Sequence, residues 1–207
     1  MIKKISLTLL MCLMPLAVWA GQFEAGKHYV EINTAKSAKP QVTEFFSYYC
    51  PHCYKMEPVA IALAQQLPAG VELQKSHVDF LRGLNKEQQT ILSRGYLVAK
   101  EKGVADKMSA AIFNYIHRDR AQFDSIKDVR DLFVLNGFEG KEFDDLAFTM
   151  PIEAQINEMA AAQTKYSDLG ALSGVPTFIV NGKYKVNYHE VSSQEEFNQL
   201  VSFLLEK

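Results

Sequence analysis

Residues 42–58 read "VTEFFSYYCPHCYKMEP", and the first half of that stretch leaves a chain few ways to fold. From 42 to 49 it is apolar on both faces, with Glu44 the exception. A strand of that kind needs cover above and below, which places it inside an α/β sheet flanked by helices. A helix follows at once. Pro51 suits the first helical position, where its missing N–H does no harm. Met56, Val59, Ala60, Leu63 and Leu67 supply an apolar stripe at helical spacing. Pro58 lies inside the helix and is expected to kink it, and Pro68-Ala69-Gly70 ends it. The next strand is predicted over 71–80, "VELQKSHVDF", and an edge strand over 28–32. The opening therefore reads β-β-α-β.

The pattern then changes. From about 86 to 150 no segment reads as a strand. "EQQTILSRGYLVAKEKG" is helical and stops at Gly103, and "VADKMSAAIFNYIHR" is helical. "SIKDVRDLFVLNG" opens on Ser125 as a cap and closes at Gly137. A short helix is expected around 143–148, and a longer one from Pro151 to Gly170. Strands return in "VPTFIV" and "KYKVN", joined by Asn181-Gly182, the favoured two-residue hairpin turn. Ser193 and Glu196 form a capping box ahead of a final helix striped by Phe197, Leu200, Val201, Leu204 and Leu205. The chain closes β-β-α, so a helical insertion of roughly 80 residues interrupts an α/β frame.

The first twenty residues stand apart from this frame. Lys3 and Lys4 precede an apolar run, Pro15 breaks it, and Val18-Trp19-Ala20 ends on a small residue. This is the pattern of a secretory signal cleaved near Ala20, too short to remain as a membrane span. A lipid anchor on Cys12 is the rival, but Leu10 and Met11 stand where small residues would be wanted. Removal leaves 187 of the 207 residues. It also takes away Lys3 and Lys4, so 22 basic and 24 acidic residues become 20 and 24, a net charge of −4. Such a balance gives no general attraction to nucleic acid or anionic lipid.

Cys12 leaves with the signal, so the mature chain holds Cys50 and Cys53 alone. An exported chain meets oxidising conditions, where the two either pair or hold something. A structural zinc site needs four ligands. No second cysteine pair exists, and His28, His77, His117 and His189 sit at no ligand spacing; no metal is expected. As a passive staple the pair would close a very small loop, with little gain in chain entropy. Redox chemistry remains. Cys50 would cap the helix at its positive end with Cys53 one turn in, on the same face. Cys50 would be the more exposed sulfur, open to a partner thiolate. The helix end favours a thiolate by about 0.3 to 2 kcal/mol, at most about 1.5 pKa units. Cysteines in such motifs reach several units below the free thiol, so a second contributor is needed, and His52 is the neighbour in the turn. A stabilised thiolate makes the disulfide reactive and argues for a donor of disulfides.

Two further features bear on the site. Glu44 and Lys75 each interrupt an apolar strand, and neighbouring strands could bring them together. Buried pairs are seldom kept for stability, so a part in moving protons to and from Cys53 is expected. His77 reads as a satisfied core or edge residue. Val175-Pro176 leads into a strand, where a trans proline is awkward, and a cis bond in the preceding turn resolves this.

Taken together, "EFFSYYCPHCY", "QKSHVDF", "GVPTFIVNGKY" and the helical insertion resemble the DsbA branch of the thioredoxin superfamily, over nearly the whole mature chain. The resemblance implies an α/β, thioredoxin-like fold made of residues 21–82 and 164–207, with a helical domain, 83–163, inserted. It implies that Cys50 is the attacked cysteine, Cys53 its buried partner and His52 the thiolate-stabilising residue. Val175 and Pro176 would form the cis-proline loop that binds substrate backbone, and Glu44 and Lys75 the buried acid and lysine. The aromatic run would help to line an apolar substrate groove. The implied activity is a periplasmic thiol oxidase that donates its disulfide to reduced, unfolded secreted proteins. A quinone-linked inner-membrane oxidase similar to DsbB would reoxidise it, with no dissolved cofactor and as a monomer. The rivals are an isomerase or reductase using the same cysteines, and a metal carrier or chaperone.

Overall fold

The computed structural model describes residues 22–207; the signal segment and Cys12 lie outside the described residues. A five-stranded sheet has the order β1-β5-β4-β2-β3. Its strands are β1 (Tyr29–Glu31), β2 (Val42–Phe46), β3 (Leu73–His77), β4 (Thr177–Val180) and β5 (Tyr184–Val186). β2 and β3 run parallel, while β2–β4, β4–β5 and β1–β5 are antiparallel. The parallel pair is the one joined by a helix, α1 (Pro51–Gln66), because a parallel neighbour requires a crossover.

The apolar strand at 42–49 is shorter than expected. β2 ends at Phe46, and the Cys50 amide turns back to the Ser47 carbonyl at 3.0 Å. β3 likewise covers only the middle of 71–80, where it has a partner in β2. α1 continues through Pro58; that proline lies on the exposed face, where water can reach the carbonyl it leaves unbonded. The hairpin turn is as expected, with Asn181 at φ 50° and Gly182 at φ 66°, the left-handed pair that this turn demands.

Between β3 and β4 come α2 (Lys86–Glu101), α3 (Ala105–His117), α4 (Ile126–Leu135), α5 (Gly140–Ala147) and α6 (Met150–Asp168). α4 carries a full capping box between Ser125 and Asp128. The box expected at the final helix, α7 (Gln194–Glu206), is only half formed. Ser193 accepts from the Glu196 amide, but the Glu196 carboxylate turns to the amide and hydroxyl of Ser192.

Apolar side chains gather in three places. α1 and α7 cover one sheet face through Val42, Ala60, Leu63, Phe178, Phe197 and Leu200. Phe45, Val78, Ile179 and Tyr166 fill the other face. The insertion has its own core around Leu92, Met108, Phe113, Phe133 and Ile152, and that core reaches Phe46, Tyr48, Cys50 and Cys53. The cysteines therefore stand where the helical core meets the sheet. α6 serves both sides, with Ile152 and Met159 in the helical core and Ala162 and Tyr166 under the sheet.

Candidate active site

Tyr48 anchors the turn that presents Cys50. Its amide donates to His77 Nε2 at 3.2 Å, and His117 Nε2 donates to its carbonyl at 2.8 Å. Its hydroxyl pairs with Ser109 Oγ at 2.8 Å. Because Nε2 of His77 accepts, its Nδ1 carries the proton and donates to Ser93 Oγ at 2.8 Å. Burial pushes the His77 pKa down to about 3, so the ring stays neutral and keeps these roles. His77 is the satisfied core residue that its sequence context suggested.

Cys50 is the N-cap of α1, and its Sγ accepts from the Cys53 amide at 3.3 Å. The Val175-Pro176 peptide bond is cis, and the Val175 carbonyl faces the Cys50 thiol, which donates to it at 3.3 Å. Cys50 retains 7% of its surface and Cys53 none. Cys50 is thus the accessible sulfur only relative to its partner.

The two sulfurs, both free thiols here, are driven apart in acidity. The Cys50 pKa is lowered to about 6. The hydrogen bond from the Cys53 thiol does most, followed by the amides of Cys53 and His52, while the His52 charge adds least and burial works against the thiolate. Cys53 moves strongly upward, because its proton is held by Cys50 and because it is buried. The dipole-plus-histidine account of the sequence was therefore incomplete: the neighbouring thiol is the larger influence.

Glu44 and Lys75 are directly opposite in the β2–β3 register, and Lys75 Nζ lies 3.3 Å from Glu44 Oε2. A third member joins them. Glu57 Oε2 sits 2.5 Å from the same Nζ. Burial raises the Glu44 pKa to about 7, against the pull of Lys75 and with the help of Glu57. For Lys75 burial opposes the charge, but the two carboxylates outweigh it and the pKa rises. Among the described residues Glu44 Oε1 has no hydrogen-bond partner and Oε2 meets only the Lys75 ammonium, a sparse set for a fully buried carboxyl. Its charge reaches Cys53, whose thiol it disfavours as an anion. Glu57 was missed in the sequence, although it lies four residues after Cys53 and so shares its helix face.

A groove of about 540 Å³ runs beside the cysteines. α1 contributes His52, Lys55, Met56 and Val59, residues 173–178 form the floor, and residues 185–189 form the far wall. The aromatic run does not line it. Phe45, Phe46 and Tyr48 are fully buried in the cores, and Tyr49 borders a separate cavity of about 350 Å³. Strand and turn geometry send those rings inward, while the wall comes from β5 and the turn after it. No cluster of three or more His, Cys, Asp or Glu among the described residues is arranged to hold a metal ion.

Comparison with known proteins agrees with this geometry. The profile of the DSBA-like thioredoxin domain matches residues 41–202. The thiol:disulfide interchange protein DsbA of Salmonella typhimurium is 34% identical, with 99% of each chain covered. That of Escherichia coli is 33% identical over the same share. The crystal structure of Proteus mirabilis DsbA with a bound peptide superposes with a TM-score of 0.78 at 27% identity, covering 89% of this chain and 99% of that one. An α/β sheet with a helical insertion, a cysteine pair at a helix start facing a cis-proline, and full-length relatives together place this chain in the DsbA family of thioredoxin-like thiol:disulfide oxidoreductases.

Proposed function

We propose that this oxidoreductase works as a donor, passing its Cys50–Cys53 disulfide to reduced proteins newly exported to the periplasm. A substrate thiolate attacks Cys50 Sγ. The Cys50–Cys53 bond breaks, and Cys53 leaves with the electron pair. Its high proton affinity calls for an acid, and Glu44 is the candidate: a carboxyl with a pKa near 7 is part-protonated at neutral pH. Lys75 and Glu57 tune that carboxyl. A second substrate thiolate then attacks the substrate sulfur of the mixed disulfide and expels Cys50 as thiolate. The substrate dithiol loses two electrons and becomes a disulfide; the enzyme disulfide gains them and becomes a dithiol.

The observation that carries this reading is the place of Cys50 Sγ at the start of α1, where it accepts from the Cys53 amide; this lowers its pKa and makes Cys50 the better leaving group in the releasing step. His52 lends its amide and charge to that thiolate. Val175 and Pro176 are the substrate-backbone contacts in this scheme, and a similar protein, Proteus mirabilis DsbA, takes up a peptide non-covalently. A quinone-linked inner-membrane oxidase similar to DsbB restores the disulfide. The amino-terminal signal, cut near Ala20, delivers the chain to the periplasm, where it acts as a monomer.

The test is stoichiometric. One equivalent of oxidised protein should convert one equivalent of a reduced dithiol peptide to its disulfide. Cys50→Ser should abolish transfer, and so should Cys53→Ala, which has no Cys50–Cys53 disulfide to donate. Retained transfer in Cys50→Ser would overturn the assignment.

A further inference from the structure

The groove beside the cysteines carries a lysine on each wall, and we infer that it selects reduced polypeptides with Asp or Glu a few residues from the reacting cysteine. This rests on the donor function proposed above and specifies its substrate class. His52 and Lys55 stand on the α1 wall, and Lys185 and His189 on the wall formed by β5 and the following turn. Among the described residues that line the groove there is no Asp or Glu. Two acidic residues adjoin the lining in sequence and both lie outside it: Glu57, which turns to Lys75, and Glu190, which follows His189.

This lining runs against the composition of the chain, whose formal net charge is −2. The two lysines are also uncommitted. Among the described residues, the ion pairs of the molecule involve neither Lys55 nor Lys185. Lys75, which borders a separate cavity, is instead paired with Glu44 and Glu57. Lys55 is exposed and Lys185 half-buried. Between the walls the floor is apolar, with Met56, Val175, Pro176 and Phe178. A low-dielectric floor between like charges focuses the field into the cleft and raises the local concentration of the opposite charge. A peptide lying along the groove, with its cysteine at Cys50, would set its flanking residues between Lys55 and Lys185. Carboxylates there are attracted, and lysines or arginines are repelled. The electron bookkeeping is that of the donor reaction; only the rate of encounter and docking changes with the flank.

Two reduced dithiol peptides with the same core, flanked several residues out by Glu or by Lys, test this with the purified oxidised protein. Each rate is divided by the rate of the same peptide with 2-hydroxyethyl disulfide, a small neutral oxidant, which removes the effect of the flank on thiol ionisation. The Glu-flanked peptide should react on the order of tenfold faster at low ionic strength, and the gap should close as salt shortens the screening length. The double variant Lys55→Glu/Lys185→Glu should reverse the order. Equal normalised rates at low salt, or a Glu preference that survives in the double variant, would overturn the inference while leaving the donor function intact. Failure to oxidise either peptide would instead remove the donor function, and this inference with it.

Discussion

Three donors converge on the Cys50 sulfur: the Cys53 thiol and the amides of Cys53 and His52. The His52 ring adds a charge that no backbone group can replace. His52→Leu keeps the amide and loses that charge, so the Cys50 ionisation midpoint should move up from about 6, toward the free-thiol value of 9.0. Thiolate absorbance against pH reads this; an unchanged midpoint would remove the ring from the account. Glu44 gives a second residue-scale expectation. Its folded pKa of about 7 stands above the ordinary 4.5, so the folded chain keeps a proton that the unfolded chain releases. Stability must then fall as pH rises from 4.5 to 7, by as much as ~3 kcal/mol. Urea unfolding of the oxidised protein, in which Cys50 and Cys53 do not ionise, should show that slope, and Glu44→Gln should flatten it. The same variant should alter the pH profile of disulfide transfer. A slope that persists in Glu44→Gln would mean that another group carries it.

At the scale of elements, α2 meets Val129 of α4 at Gly95. A Cβ built there would lie 2.7 Å from Val129 Cγ1, and Val129 is fully buried. Gly95→Ala gains about 1 kcal/mol in helix propensity but overpacks a core at a cost of about 1–3 kcal/mol. Denaturant unfolding should show a net loss of up to about 2 kcal/mol; greater stability would mean that α4 moves aside freely. The elements also explain what could be read in advance. The β2–α1 junction was legible because an apolar run ending in Cys-Pro leaves one local solution, and Asn181-Gly182 states its turn outright. The pairing of Glu44 with Lys75 was readable as two interruptions in adjacent strands. Glu57 was not, since a glutamate in an amphipathic helix usually faces water; only the lysine reaching across from β3 explains its burial. The groove wall was hidden for a similar reason. Its residues come from β5 and the turn after it, and nothing local in residues 185–189 says that they face the cysteines. Strand ends were misjudged at Phe46 and His77 because apolar sequence continues beyond the last paired residue.

At the scale of the whole molecule, the cysteines couple redox state to folding. The folded Cys50 pKa is depressed from 9.0 to about 6. A depressed pKa contributes stability that is complete above the unfolded value and is lost as pH falls through the folded one. The reduced protein should therefore outlast the oxidised protein in denaturant at neutral pH, since so small a disulfide loop adds little entropy in compensation. The difference should shrink as pH drops through 6. An oxidised form that is the more stable at neutral pH would contradict the coupling. The placement of the pair supports this reading: it lies where the insertion core and the sheet meet, so both halves of the chain feel its ionisation.

The donor function and the coupling of redox state to stability share one premise, that the sulfur of Cys50 is an anion at neutral pH while Cys53 keeps its proton. The most direct measurement is the thiolate absorbance of the reduced protein as a function of pH, with Cys50→Ser as the blank. A single ionisation centred near 6 that vanishes in Cys50→Ser is the result expected. An ionisation near 9, the range of an ordinary thiol, would contradict the account, leaving the fold in place and the direction of disulfide transfer without a cause.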